Sequence, residues 1–204
     1  MQAPRIGVLA LQGAFESHRQ RLAELGAPAQ QVRTPADLAS VDALVMPGGE
    51  STTMSKLLVT SGLFDPIATR IADGMAVFGT CAGMILLSTE LLDGRPDQVS
   101  FGAIDITVRR NGYGRQLDSF ETELVVPVLG RDAPPFHGVF IRAPKVVRVG
   151  ADVDVLAEHD GVPVILRHAA ITVASFHPEL AGDHRLHAEF LNSLTRTPSH
   201  AESS

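Results

Sequence analysis

The chain has 204 residues, 45% of them apolar, with one cysteine and a formal net charge of −6. That is enough for one α/β domain with a sizeable core and short for two. The acidic balance gives no electrostatic ground for nucleic acid or an anionic membrane as partner, and the pair Arg109-Arg110 is too small for a phosphate-tracking stripe. A lone cysteine closes no internal disulfide, so the expected compartment is the reducing cytoplasm.

In chain order, Ile6 to Leu11 is a continuous apolar run. It falls far short of the about 20 residues of a membrane span and reads as a buried strand, with no signal peptide evident. Phe15 to Leu25 places Phe15, Leu22 and Leu25 among charges at helical spacing and stops at Gly26. A short strand is expected at 31–33, a short helix at 35–40, and a buried strand from Val41 to Met46 that ends in Pro47-Gly48-Gly49. Ser51-Thr52-Thr53 offers capping hydroxyls for a helix running toward Ser61-Gly62. Further helices are expected over 64–73 and 84–92, with a strand over 75–78 between them. Alternating strands and helices imply a parallel sheet covered on both faces.

From about residue 99 the texture turns to strands, expected over 101–108, 121–128, 139–142, 146–149, 153–158, 162–167 and 171–176. His159-Asp160-Gly161 reads as a hairpin turn. A last helix is expected over 183–194. The fold class is therefore α/β, a single-domain, mostly parallel, doubly wound sheet with helices on both faces and extra antiparallel strands in the C-terminal half. The domain is taken as 1–196, with 197–204 as a polar tail.

Three segments carry chemistry. Val77-Phe78-Gly79-Thr80-Cys81-Ala82-Gly83 runs from a buried strand through Gly-x-Cys-x-Gly into a helix. A tight strand-to-helix turn of this kind projects its central side chain at the carboxyl edge of the sheet and leaves no room for large neighbours. Helix-terminal N–H groups there favour a thiolate and a developing oxyanion. A lone cysteine is more often an inert buried side chain; the strand-turn-helix context reverses that preference. Second, His177 and Glu179 flank Pro178 at the end of an apolar strand. In extended backbone, residues two apart share a side, so a carboxylate can orient an imidazole that serves a nucleophile. Alone, the tripeptide reads as an exposed strand-end turn. Third, Pro47-Gly48-Gly49-Glu50-Ser51 follows another buried strand, where paired glycines let backbone approach a ligand. Taken alone this is a Gly-Gly turn with helix capping, but open α/β sheets bind ligands at that edge.

Gly79-Thr-Cys81-Ala-Gly83 with His177-Pro-Glu179 resembles the class I (triad) glutamine amidotransferases. Leu9-Ala-Leu-Gln-Gly13, Pro47-Gly-Gly-Glu-Ser-Thr-Thr-Met54, Arg110-Asn-Gly-Tyr-Gly-Arg-Gln116, Asp118-Ser-Phe-Glu121, Val139-Phe-Ile-Arg-Ala-Pro144 and Ser175-Phe-His-Pro-Glu179 narrow the resemblance. They are similar to the glutaminase-subunit family of pyridoxal 5'-phosphate synthase, over residues 6 to about 190. The resemblance implies hydrolysis of L-glutamine through a cysteinyl thioester, with Cys81 as nucleophile and His177 and Glu179 as its partners. It also implies ammonia delivery to a synthase subunit that makes pyridoxal 5'-phosphate (vitamin B6), and no cofactor or metal of its own. By it, Gly49, Glu50, Ser51, Arg110, Ile141 and Arg142 bind glutamine, and backbone at Gly48, Gly49 and Ala82 forms the oxyanion hole. Gln12 and the helix after it face the synthase, whose docking reorients the Gly48-Gly49 peptide. Two departures are Tyr113, where Phe is expected, and His168, where Gln is usual.

Other readings are a different cysteine hydrolase or glyoxalase-like enzyme, or a non-catalytic regulatory subunit. His184 and His187, three apart in the last helix, suggest a metal pair, but a solvated helix face is the preferred reading because no third ligand accompanies them. His18, His137, His159 and His200 receive no role.

Overall fold

The structure, a computed structural model, describes residues 3–110 and 119–195. The expectations placed on residues 111–118, Tyr113 among them, and on 197–204 lie outside the described residues. In chain order the elements are β1 (Ile6–Leu9), α1 (Phe15–Glu24), β2 (Gln30–Val32), α2 (Pro35–Ala39), β3 (Ala43–Met46), α3 (Ser51–Thr60), α4 (Phe64–Ala72), β4 (Ala76–Thr80) and α5 (Ala82–Leu87). They continue as β5 (Ser88–Leu91), β6 (Ile104–Arg109), β7 (Ser119–Leu124), β8 (Phe136–Ile141), β9 (Lys145–Val149), β10 (Asp154–His159), β11 (Val162–His168), β12 (Ile171–Ala174) and α6 (Arg185–Thr195).

Seven strands form the main sheet in the order β10-β11-β12-β4-β3-β1-β2. The five from β12 to β2 are parallel, and β10 and β11 add an antiparallel edge. Side chains alternate across this sheet, as the pleat requires. Leu9, Leu44, Met46, Val77 and Val173 pack with Met54, Leu58, Ile67 and Leu86 of α3, α4 and α5. Val8, Val45, Phe78 and Ala174 pack with Leu22, Leu186 and Phe190 of α1 and α6 on the other face. Buried on both sides, the parallel strands need the continuous apolar runs by which they were read. The fold is thus the expected doubly wound α/β sheet with additional antiparallel strands. Among the described residues, no helix is long and apolar enough to cross a membrane.

Two smaller sheets, β5-β6-β9 and β7-β8, flank the main one. Here the structure corrects two expectations. The helix expected over 84–92 stops at Leu87, and 88–91 is a strand paired with β6. Its last-turn carbonyls are taken from outside, since Leu86 and Leu87 accept from the backbone N–H groups of Phe101 and Ala103 at 2.7 and 2.8 Å. Those bonds end the helix where apolar periodicity alone does not. The strand expected over 121–128 ends at Leu124, and one 3-10 turn follows at Pro127–Leu129, because Pro127 has no N–H to give a ladder. The hairpin between β10 and β11 is as expected, with φ of +49° at Asp160 and +71° at Gly161, the pair of positive values a two-residue primed turn demands.

Candidate active site

β12, β4 and β3 are neighbours, and each ends in one of the three segments singled out in the sequence. Cys81 follows β4 directly, with φ +49° and ψ −106°. This is a conformation non-glycine residues avoid, at a cost on the order of 1–3 kcal/mol. Its surroundings enforce it. The Cys81 N–H donates to the Ala174 carbonyl at 2.9 Å, and the Cys81 carbonyl accepts from Ile85 N–H at 3.3 Å. Gly83 lies so close to the Met46 carbonyl that any Cβ would overlap it, and a Cβ on Gly79 would meet Leu87 and the Gly83 backbone. The two glycines are thus required by contact, and the strained turn leaves the thiol as the residue's outlet into the site.

His177 follows β12 and is pinned by its own N–H, which donates to the Val139 carbonyl at 2.8 Å. Its Nδ1 lies 2.7 Å from Glu179 Oε1, which leaves Nε2 for the thiol. Burial pushes the imidazole pKa down, but hydrogen bonds to Cys81 and Glu179 outweigh it and hold it up at about 10. Glu179 is fully buried. Burial raises its pKa, yet the two imidazoles beside it, His18 and His177, and the His177 hydrogen bond win, so the carboxylate is held below its ordinary value. Gly48 sits against both partners, since a Cβ there would overlap His177 Cε1 and stand 3.3 Å from Cys81 Cβ.

The Gly48-Gly49 loop is braced from β1. The Gly48 carbonyl accepts from Ala14 N–H at 3.1 Å, and the Glu50 N–H donates to Gln12 Oε1 at 2.9 Å. Gly13 has φ +92° and no room for a Cβ beside that carbonyl. Glu50 caps α3, its carboxylate accepting from Thr52 N–H at 3.1 Å and Thr53 N–H at 2.7 Å. Partial burial opposes ionisation, but these bonds hold its pKa at about 2. Arg110 Nη1 donates to Thr52 Oγ1 at 2.9 Å and lies 3.8 Å from Glu50 Oε1. Arg142, after β8, has φ +45°, and the Ile141 carbonyl is 4.0 Å from Cys81 Sγ.

A cavity of about 470 Å³ opens on this rim, lined by Gln12, Gly49, Glu50, Ser51, Cys81, Ala82, Ile85, Arg110, Ile141, Arg142 and His177. Every residue expected to bind the substrate therefore lines one pocket with the thiol and the imidazole. Gln12, expected to face a partner, lines it too. Ser51 is 2% exposed, and its Oγ has no hydrogen-bond partner among the described residues, so it remains available to a ligand.

The solvated-face reading of the last helix fails for His187, which is fully buried. His187 Nε2 lies 2.9 Å from His18 Nδ1, while His184 Nε2 is 3.2 Å from Glu24 Oε2. No group of three metal-capable side chains occurs among the described residues. His18, given no role from sequence, is fully buried, with Nε2 3.3 Å from Glu179 Oε2 and 3.1 Å from Thr80 Oγ1. Its place in the helical spacing of α1, on the side of buried Leu22, was the available signal for burial. His168, the second departure, has Nδ1 2.8 Å from the Asp152 carbonyl at the edge of the sheet, away from the pocket.

Comparison with known proteins agrees with this geometry. The SNO glutamine amidotransferase family matches residues 8–196. "Pyridoxal 5'-phosphate synthase subunit PdxT" of Streptomyces coelicolor is 55% identical over 191 residues, 94% of each chain. The protein of the same name in Salinispora arenicola is 55% identical over 195 residues, 93% of this chain and 96% of its own. A crystal structure described as a glutamine amidotransferase superposes with a TM-score of 0.85 at 46% identity, covering 92% of this chain and 97% of that one. A match that spans nearly all of the described fold, on a sheet whose strand ends bring together a thiol, an imidazole and a carboxylate, leaves one assignment: the chain belongs to the SNO glutamine amidotransferase family.

Proposed function

We propose that this chain hydrolyses L-glutamine to L-glutamate and ammonia with Cys81 as nucleophile, and that it does so as the glutaminase subunit of a pyridoxal 5'-phosphate synthase. The observation that carries the reading is the junction of adjacent strand ends, where Cys81 and His177 meet over Gly48 with Glu179 Oε1 2.7 Å behind the imidazole.

The chemistry follows from the parts. The Cys81 thiolate attacks the side-chain amide carbon of glutamine, and the carbonyl oxygen becomes an oxyanion that backbone N–H groups at Gly49 and Ala82 hold. Imidazolium at His177, the form its raised pKa favours, gives its proton to the departing nitrogen as the C–N bond breaks. Ammonia leaves and a glutamyl thioester remains. Neutral His177 then takes a proton from water, whose oxygen attacks the thioester, and the thiolate departs as glutamate forms. Glu179 keeps the imidazole in one tautomer and stabilises its cation, as the third member of such triads does.

Arg110 and Arg142 suit the α-carboxylate of an amino acid, and Ser51 Oγ and the Glu50 region suit its polar end. The relatives named as synthase subunits support ammonia delivery to a separate synthase. Gln12 and α1 form the face we assign to that partner, because the same segment braces the Gly48-Gly49 peptide that docking would reorient. A glyoxalase-like reaction has no support in the family match, and a purely regulatory role leaves the strained Cys81 turn without a reason.

Cys81→Ala in the presence of the synthase subunit tests the reading. Glutamate release is expected to fall by at least about 10⁴-fold, as for other nucleophile deletions. Retained release would overturn it, and so would labelling of Cys81 by an electrophilic glutamine analogue that glutamine fails to block.

A further inference from the structure

Behind the triad, on the face of the sheet away from the cavity, lies a dry polar cluster that glutamine chemistry does not call for. His18 on α1, Thr80 at the end of β4 and His187 on α6 are all buried, His18 and His187 at 0% exposure, with both imidazoles edge-on to Phe78. Apolar side chains would fill such a space at lower desolvation cost. The cluster touches the triad at one place. Glu179 gives Oε1 to His177, and its Oε2, buried and making no hydrogen bond among the described residues, has His18 Nε2 as a close electrostatic contact at 3.3 Å.

The proton positions follow from elimination. One proton lies between His18 Nδ1 and His187 Nε2, 2.9 Å apart. If His18 supplied it, His187 would have to carry its own proton on Nδ1, which is buried without a partner, and His18 Nε2 would turn a lone pair toward a carboxylate oxygen. If His187 supplies it, its bare Nδ1 costs less than a stranded N–H, and His18 carries its proton on Nε2, donating to Thr80 Oγ1 at 3.1 Å with Glu179 Oε2 3.3 Å away. The second arrangement satisfies every strong donor.

Resting on the triad reading above, we infer that His18 is a positioning residue for the glutaminase reaction: as the neutral Nε2–H tautomer, oriented by His187 and Thr80, it sets the positive end of its ring dipole against the second oxygen of Glu179 and thereby favours the carboxylate plane that orients His177. The same helix grips this turn twice, since Arg21, one turn after His18, donates from Nε to the Glu179 carbonyl at 3.1 Å. The charged and titratable groups that face the pair are Glu179 and His177 from the β12 end, His184 from the start of α6 and Arg21 from α1. Burial, helped by the nearby Arg21 guanidinium, keeps His187 neutral, and burial outweighs the pull of Glu179 to do the same for His18.

The test compares His18→Leu, His18→Gln and the wild-type full chain with the synthase subunit present. His18→Leu is expected to lower kcat about 10–100-fold with KM nearly unchanged, by analogy with the loss when a partner that orients a metal-bound imidazole is removed. The pH profile of Cys81 alkylation by iodoacetamide should move its imidazolium-linked limb to lower pH, because a loosened carboxylate holds the His177 cation less well. His18→Gln restores a donor near Nε2 and should recover most of both. Wild-type kcat and an unmoved alkylation profile in His18→Leu would overturn the inference; a wild-type profile with no such limb would instead overturn the triad reading. Should His18→Leu fail to fold, nitrogen-15 imidazole spectra of the wild-type chain decide. A neutral His18 with its proton on Nε2 is expected, and an Nδ1–H tautomer or an imidazolium ends the proposal.

Discussion

The two sides of His177 are built differently. The cavity side is lined by groups with capacity to spare: Arg110 and Glu50 have side chains 30% and 50% exposed at a loose 3.8 Å, and Ser51 Oγ is unpartnered among the described residues. The far side is dry and closed, with Glu179, His18 and His187 at 0% exposure and spaced 2.7–3.3 Å from their partners. Binding groups face a space that a ligand can fill; positioning groups are enclosed by protein on every side, so that they do not move. Substitutions on the two sides should therefore separate into effects on KM and effects on kcat.

The largest effect belongs to the dry side. Glu179→Gln keeps the shape but presents either an amide oxygen or an NH₂ to His177 Nδ1, and kcat should drop about 10³–10⁴-fold, as when the orienting carboxylate of a triad is amidated. A loss of less than tenfold would mean that the carboxylate is only a packing element. On the cavity side, Arg110→Ala should raise KM about tenfold or more, the worth of one charge-assisted pair to a carboxylate, with kcat within a few-fold of the native value. An equal fall in kcat at unchanged KM would place Arg110 with the positioning groups instead.

The pH dependence sharpens the same division. His177 is held at about 10, above its ordinary value, so the imidazolium is present through neutral pH and lost as pH rises through about 10. A folded-state pKa raised in this way contributes stability that is full below the unfolded-state value and fades on the alkaline side. The thiol is one of its two hydrogen-bonding partners, so Cys81→Ala should lower the His177 pKa measured by NMR titration; an unchanged value would show that Glu179 alone holds the proton.

The cavity side was legible in the sequence because its parts are local. A Gly-x-Cys-x-Gly turn, a Gly-Gly turn and a His-Pro-Glu tripeptide each announce a strand end, and parallel strands put their carboxyl ends on one edge. The parallel order of β12, β4 and β3 then brings residues some 100 positions apart into contact. The far side was not legible because it is made by packing. His18 comes from the first helix and His187 from the last, and nothing within either segment says that α1 and α6 cover the same face. For the same reason His187 read as solvated, and the helix at Ala82 was drawn too long, since the backbone N–H groups that stop it come from Phe101 and Ala103. Long-range partners decide these cases, and periodicity within a segment carries no record of them.

The smallest test uses two hydroxyls, one from each side. Ser51→Ala removes an oxygen that has no protein partner to lose among the described residues, so thermal stability should hardly change while KM rises about fivefold, the worth of one neutral hydrogen bond to a ligand. Thr80→Val, of nearly equal volume, removes the oxygen 3.1 Å from His18 Nε2. It should leave KM alone and cost about 1 kcal/mol of stability, because an imidazole N–H already out of water loses one of the two acceptors beside it. Calorimetry and steady-state kinetics on the same two preparations check both outcomes. If Ser51→Ala melted lower at unchanged KM while Thr80→Val raised KM, the assignment of binding to one side of His177 and positioning to the other would be reversed.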